Sequence, residues 1–199
     1  MIEAKLLALL LAYPPWYEDR EEVGREDRMK SIAISLTEAS IKATCNDGVE
    51  PDCERSWPGT TWELVTLAAD LGWHESRYAR HVHAGQCRLH IGECDAARVY
   101  GTNKFVALAT SPWQLQRSGI VPYHVWTTLA GLDHASTLRA AHAAVRVVVH
   151  SRTSCAKVEP WPEATIARYA TGRRCSWRGS AKRAAQWRRV RDQFQDWTG

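Results

Sequence analysis

At 199 residues, 45% hydrophobic and 24% charged, the chain has an ordinary globular composition and the length of one domain, or of a domain with an extension. Its formal charge of +4 is unevenly placed: Arg139–Gly199 carries 13 Lys/Arg against 4 Asp/Glu, a net of +9, which leaves −5 on residues 1–138. A basic end attracts polyanions such as wall polymers or nucleic acids, or is simply a solvated helix face. No zinc-finger, RNA-recognition or basic-zipper signature accompanies it, so no nucleic-acid partner is expected.

The first element is the apolar run Leu6–Tyr13. Glu3 and a single Lys5 precede it, and no small-residue cleavage site is clear before Pro14-Pro15, so no export signal is evident. Eight residues cannot span a bilayer, and the run reads as a packed helix or the remnant of a processed N-terminus. Residues 14–30 are charged, open on Pro-Pro and read as a linker into a helix over about 25–43, where Met29, Ile32, Leu36 and Ala39 recur at helical spacing. A turn-rich stretch follows. Thr60 or Thr61 can then cap a helix from about Trp62 to Ser76.

Residues 80–110 show no sustained period and suggest a disulfide-closed excursion or a small hairpin. Leu138, Ala141, Val145 and Val148 mark one face of a helix over about 133–150, with Asp133 or Ser136 as its cap. Glu163–Tyr169 is a shorter helix stopping at Gly172, and Trp187, Val190, Phe194 and Trp197 form the apolar stripe of a final, Arg-rich helix. The chain contains no repeat, nucleotide-binding loop or serine-hydrolase elbow. It reads as mainly α, with an N-terminal helical extension over 1–60 and one domain over 61–199.

Six cysteines fall into local couples, Cys45/Cys53, Cys87/Cys94 and Cys155/Cys175, although six allow 15 pairings. Disulfides across these couples would imply an oxidising compartment; the alternative is scattered buried thiols. Ten Trp against two Phe is unusual. An indole suits either the edge of a core or the face of a sugar ring.

Three local features carry chemistry. In Leu71–Tyr78 (LGWHESRY), Glu75 lies eleven positions after Leu64, about 20° from eclipsing it on a helix, and in line with Ala68 and Leu71. Partial burial and a helix C-terminus both disfavour a charged carboxyl, as a general acid requires. The plainer alternative is a Glu closing the helix end in an ion pair. In ATSPWQLQ, residues 109–116, Trp113 and Gln114 on a Ser-Pro turn offer a stacking face and an amide. In RYATGRRC, residues 168–175, Tyr169 ends a helix before a Gly turn. His74, His81, His83 and His90 with Cys87 lack the H-E-x-x-H geometry of a zinc site. They read as solvent-facing, with no metal or cofactor expected.

Glu-Ser at a helix end, a small-x-Trp-Gln turn and a later Tyr-x-x-Gly, in that order, resemble the soluble lytic transglycosylases and their goose-type lysozyme relatives. The chain looks more closely like a disulfide-containing bacterial subgroup. The matching elements are Glu75-Ser76-Arg77-Tyr78, Gly85-Gln86-Cys87, Cys94-Asp95 and Tyr169-Ala170-Thr171-Gly172 ahead of Cys175. The resemblance covers about 62–190. It implies a lysozyme-like fold that cleaves peptidoglycan glycan strands, with Glu75 as acid/base and Ser76 steadying the substrate or the carboxyl. It also implies that Ser111, Trp113 and Gln114 line the cleft and that Tyr169 approaches Glu75. Ser111 replaces the usual glycine, Ala170 the usual asparagine, and 39 residues separate Glu75 from Gln114.

The resemblance implies lytic transglycosylation by one Glu. A hydrolytic lysozyme or endolysin would add a second carboxylate, Glu93 or Asp95. A wall-binding or virion structural protein of the same fold is the non-catalytic alternative. A catalytic Glu75 should line an open cleft facing Gln114 and Tyr169, whereas a structural one should be locked in a salt bridge. The expected setting is extracytoplasmic (periplasm, wall or secreted) or phage-associated, for a monomer that does not insert into membranes.

Overall fold

The computed structural model describes residues 1–14, 24–45, 56–87 and 94–195. Cys53, Glu93, His90 and Trp197, together with most of the expected linker after Pro14, lie outside the described residues.

The chain is mainly helical. The apolar run at the start is α1, Ile2–Ala12, with Leu6, Leu9 and Leu10 buried. Its last turn is closed by Arg25, whose guanidinium donates to the carbonyls of Leu11 and Tyr13, groups a helix end leaves without partners. Helix α2, Arg25–Thr44, buries Met29, Ile32, Leu36 and Ala39, as its sequence period requires. Helix α3, Thr61–Ser76, opens on a capping box: Thr60 Oγ1 accepts from the Glu63 amide, and the Glu63 carboxylate accepts from the Thr60 amide. A single turn, α4 (Arg80–His83), follows.

Two short antiparallel hairpins follow, one inside the aperiodic stretch and one at and beyond its end. Strand β1 (Ala96–Arg98) pairs with β2 (Phe105–Ala107), Ala97 opposite Val106. Strand β3 (Ala109–Thr110) pairs with β4 (Leu115–Gln116), Thr110 opposite Leu115. The turn α5 (Tyr123–Trp126) leads to α6, His134–Ser154, capped by the Asp133 carboxylate on the Ser136 amide. Helix α7, Trp161–Thr171, stops at Gly172, whose φ of 71° ends the helix in the left-handed region. The last helix, α8 (Ser180–Gln195), buries Trp187 and packs on α3 and α7.

One apolar core runs through these elements, from Leu6 and Ile32 through Leu64 and Trp113 to Val145, Ile166 and Trp187. The expected boundary near residue 60 does not divide that core, because α2 packs against both α3 and α6. Cys87 is bonded to Cys94 and Cys155 to Cys175; Cys45 is also disulfide-bonded. These bonds fit an oxidising compartment. Among the described residues no helix is long and apolar enough to cross a membrane.

Gly72 lets the centre of this core form. A Cβ there would meet the Tyr78 hydroxyl at 2.5 Å and the Trp113 indole nitrogen at 2.8 Å. Both rings lie almost on the α3 backbone, and their polar atoms donate to its carbonyls: Tyr78 Oη to Ala69 (2.7 Å) and Trp113 Nε1 to Ala68 (2.9 Å).

Candidate active site

Helix α3 delivers Glu75 at its C-terminal end. Leu64, Ala68 and Leu71 on its face are fully buried, while the Glu75 side chain stays 23% exposed. The chain then turns sharply. Arg77 and Tyr78 take consecutive left-handed conformations, with φ of 51° and 54°. Such geometry is uncommon for residues with a side chain and persists where surrounding contacts enforce it. Here Ser76 Oγ donates to the Gly72 carbonyl and accepts from the Tyr78 amide, and the buried Tyr78 ring packs edge-on against Trp113. Ser76, expected to steady the substrate or the carboxyl, spends its hydroxyl on these two local contacts.

The second feature is the four-residue connection of the β3–β4 hairpin. Ser111 and Gln114 have φ of 70° and 48°. The position where the resembled family carries glycine is therefore left-handed, a region that costs a side-chain-bearing residue about 1–2 kcal/mol. Ser111 is fully buried, and its carbonyl accepts from both the amide and the side-chain nitrogen of Gln114. Gln114 Oε1 is buried without a hydrogen-bond partner.

Ser111→Gly is expected to leave unfolding stability within about 1 kcal/mol of wild type, since relieved backbone strain offsets the added freedom of the unfolded chain. Ser111→Val should lose about 2 kcal/mol or more through strain and overpacking. Urea unfolding measures both. A large loss with glycine would mean that the hydroxyl, rather than the backbone, sets this position.

Trp113 requires a correction. Expected to offer a face to substrate, it is fully buried, with Tyr78 against its ring and Ala68 on its nitrogen. It is a core residue that fixes the turn to α3. Tyr169, half-buried at the end of α7, donates its hydroxyl to the Trp113 carbonyl at 2.7 Å. Desolvation, and then the negative charge of Glu75, hold the Tyr169 phenol well above its ordinary pKa. The three features, up to 94 residues apart in the chain, thus converge at the end of α3.

The sequence did not point to the charge that completes the site. Arg183 of α8 donates to Glu75 Oε1 at 2.7 Å, and its guanidinium lies 5.0 Å from the centre of the Trp177 ring. One turn back on α3, Asp70 is fully buried. Tyr13 donates to its Oδ1 at 3.2 Å, and its Oδ2 lies 3.6 Å from His74 Nε2. Burial raises the Asp70 pKa to about 7, against the opposing pull of Tyr13 and Arg183. Burial, aided by Arg183, Arg77 and Lys182, lowers His74 to about 4.

His74 is therefore not solvent-facing as expected; its side chain is only 17% exposed. Nor is His83, which is buried with Nε2 3.1 Å from Thr137 Oγ1 and a pKa lowered to about 4, chiefly by burial. Asp95, a candidate second carboxylate, is exposed and accepts from Gln116 at 2.6 Å. Two surface concavities, of about 480 and 560 Å³, lie between α1, α3 and α8 and between α2 and α6; neither includes Glu75.

No protein-family model matches the chain, and neither a curated protein nor a solved structure does.

Proposed function

We propose that this protein is a glycan-cleaving enzyme with a lysozyme-like fold, acting on the peptidoglycan strands of bacterial cell wall. More particularly, it is a lytic transglycosylase that breaks the β-1,4 bond between N-acetylmuramic acid and N-acetylglucosamine. The observation that carries this reading is that the Ser111–Gln114 turn and Tyr169 are tied to each other and to α3, the helix bearing Glu75, by the bonds of Trp113 to Ala68 and Tyr169, with the Glu75 charge acting on the Tyr169 phenol. Glu75 is the catalytic acid, partly exposed at a helix end while its neighbours on that face are buried.

In this reaction protonated Glu75 gives its proton to the glycosidic oxygen, and the bond from that oxygen to the muramyl C1 breaks. The resulting carboxylate takes the proton of the muramyl 6-hydroxyl, whose oxygen closes on C1 to give a 1,6-anhydro ring. An ion-paired carboxylate carries no proton, so the cycle requires Arg183 to release Glu75 when substrate arrives. The lactyl carboxylate of the muramyl residue is a group for which Arg183 can exchange it. Compartments in which the substrate is found, the periplasm, wall or outside, suit the disulfides.

The Arg183–Glu75 pair itself favours a second reading, a non-catalytic wall-binding or virion structural protein in which the pair only fastens α8 to α3. Mass analysis of purified peptidoglycan after incubation with the protein separates the possibilities. Anhydro-muramyl ends are expected. Reducing ends would indicate hydrolysis, with Asp95 the described candidate for a second carboxylate, and absence of products would favour the non-catalytic reading.

A further inference from the structure

Trp177 is the one exposed tryptophan among those described, with 39% of its surface accessible. An indole left in water is normally a loss, and here the local structure holds it there deliberately. Cys175, two residues earlier, is bonded to Cys155 at the end of α6. The Trp177 carbonyl accepts from both the amide and the hydroxyl of Ser180, which fixes it to the start of α8. Gly179 admits the ring, since a Cβ there would collide with its six-membered edge. Arg183 then bridges the ring and Glu75, within hydrogen-bonding distance of the carboxylate and 5.0 Å from the ring centre. Within five residues of Trp177 along the chain stand the exposed cations Arg173, Arg174, Arg178 and Lys182.

We propose that Trp177 is the platform of a sugar-binding subsite contiguous with Glu75, stacking a pyranose ring of an anionic glycan strand. This rests on the reading of Glu75 as the centre of a glycan-cleaving site. A pyranose presents a face of C–H groups that matches a flat, electron-rich indole, and a platform already held in place loses little freedom on binding. The cations near it in the chain select strands that carry carboxylates and bring them in at long range. Arg183 makes platform and acid one unit, so a ring seated on Trp177 lies next to the carboxylate.

The test is equilibrium binding of purified, peptide-free peptidoglycan strands to the full chain carrying Glu75→Gln, alone and combined with Trp177→Ala or Trp177→Phe. Trp177→Ala is expected to raise Kd about tenfold and Trp177→Phe no more than about threefold, since phenylalanine keeps a smaller flat face. Added salt should weaken binding of these strands but not of uncharged N-acetylglucosamine oligomers. Thermal melts verify that each variant is folded, and Trp177→Leu provides an apolar replacement without a ring if the alanine variant is not. Binding by Trp177→Ala within twofold of its parent, or no strand binding by the parent, overturns the subsite. Wall lysis by the wild type reads the other claim separately: Trp177-dependent binding without lysis supports the subsite while removing the cleavage.

Discussion

Glu75→Gln is expected to abolish lysis of purified cell wall while the protein stays folded. Amide and carboxyl are nearly isosteric, so the hydrogen bond from Arg183 has an acceptor in either case. The lost quantity is the transferable proton, and removing a general acid costs about 10²–10⁴ in rate. The ion pair is mostly shielded, with its side chains 21% and 23% exposed, but glutamine keeps the hydrogen bond, so its loss should cost about 1–2 kcal/mol of stability. Turbidity loss of a wall suspension, read beside a thermal melt of the same sample, measures both effects. Lysis at more than a tenth of the wild-type rate would remove Glu75 from the mechanism.

Asp70→Asn should change how stability depends on pH. A carboxyl whose folded pKa is raised to about 7 from 3.8 retains its proton in the fold after the unfolded chain has lost it. Its contribution is fully present below about pH 4 and is lost as pH rises to 7, on the order of 4 kcal/mol in all. His74 and His83 act in the opposite direction. Lowered from 6.5 to about 4, they stay neutral in the fold while the unfolded chain protonates, so stability falls as pH drops through that window.

At pH 5 the unfolded chain holds about two protons on these histidines that the fold lacks, and the fold holds about one on Asp70. The net slope from these groups is about one proton's worth, stability rising with pH. With asparagine at position 70 the opposing group is gone and the slope becomes about twice as steep. Above pH 7 the variant should be more stable than wild type, because it avoids an ionised carboxylate in the core. Urea unfolding between pH 4.5 and 8 tests this. An unchanged slope, or a variant less stable at pH 8, would show that Asp70 ionises freely in the fold.

Much of the helical framework was legible because it rests on local signals. Met29, Ile32, Leu36 and Ala39 mark α2 by their spacing, and Thr60, Asp133 and Gly172 stand at the ends of the elements they delimit. Glu75 was legible for the same reason: its phase relative to Leu64, Ala68 and Leu71 is a property of one helix. Arg183 was not, since it reaches Glu75 from 108 residues away on a helix whose arginines read as solvated. Trp113 was misread because an indole on a tight turn looks the same whether it faces sugar or core, and only the nearby Gly72 decides between them. Asp70 left a usable sign: it is the only acid between Leu64 and Trp73, and such a residue must be buried with a partner or interrupt the face.

The missing side chain at Gly72 also governs how this protein can change over generations. With two aromatic rings resting on its backbone, the end of α3 and the Ser111–Gln114 turn form one rigid block. A substitution inside that block displaces acid and turn together, leaving little room for gradual drift. On the other side of Glu75, α8 supplies the side chain of Arg183, which donates to its carboxylate. If the protein cleaves glycan strands as proposed, variation there would alter which strands are accepted while the position of Glu75 is preserved. Diversification of the protein should accordingly be concentrated in residues 173–183, with the helix that carries the acid held nearly constant.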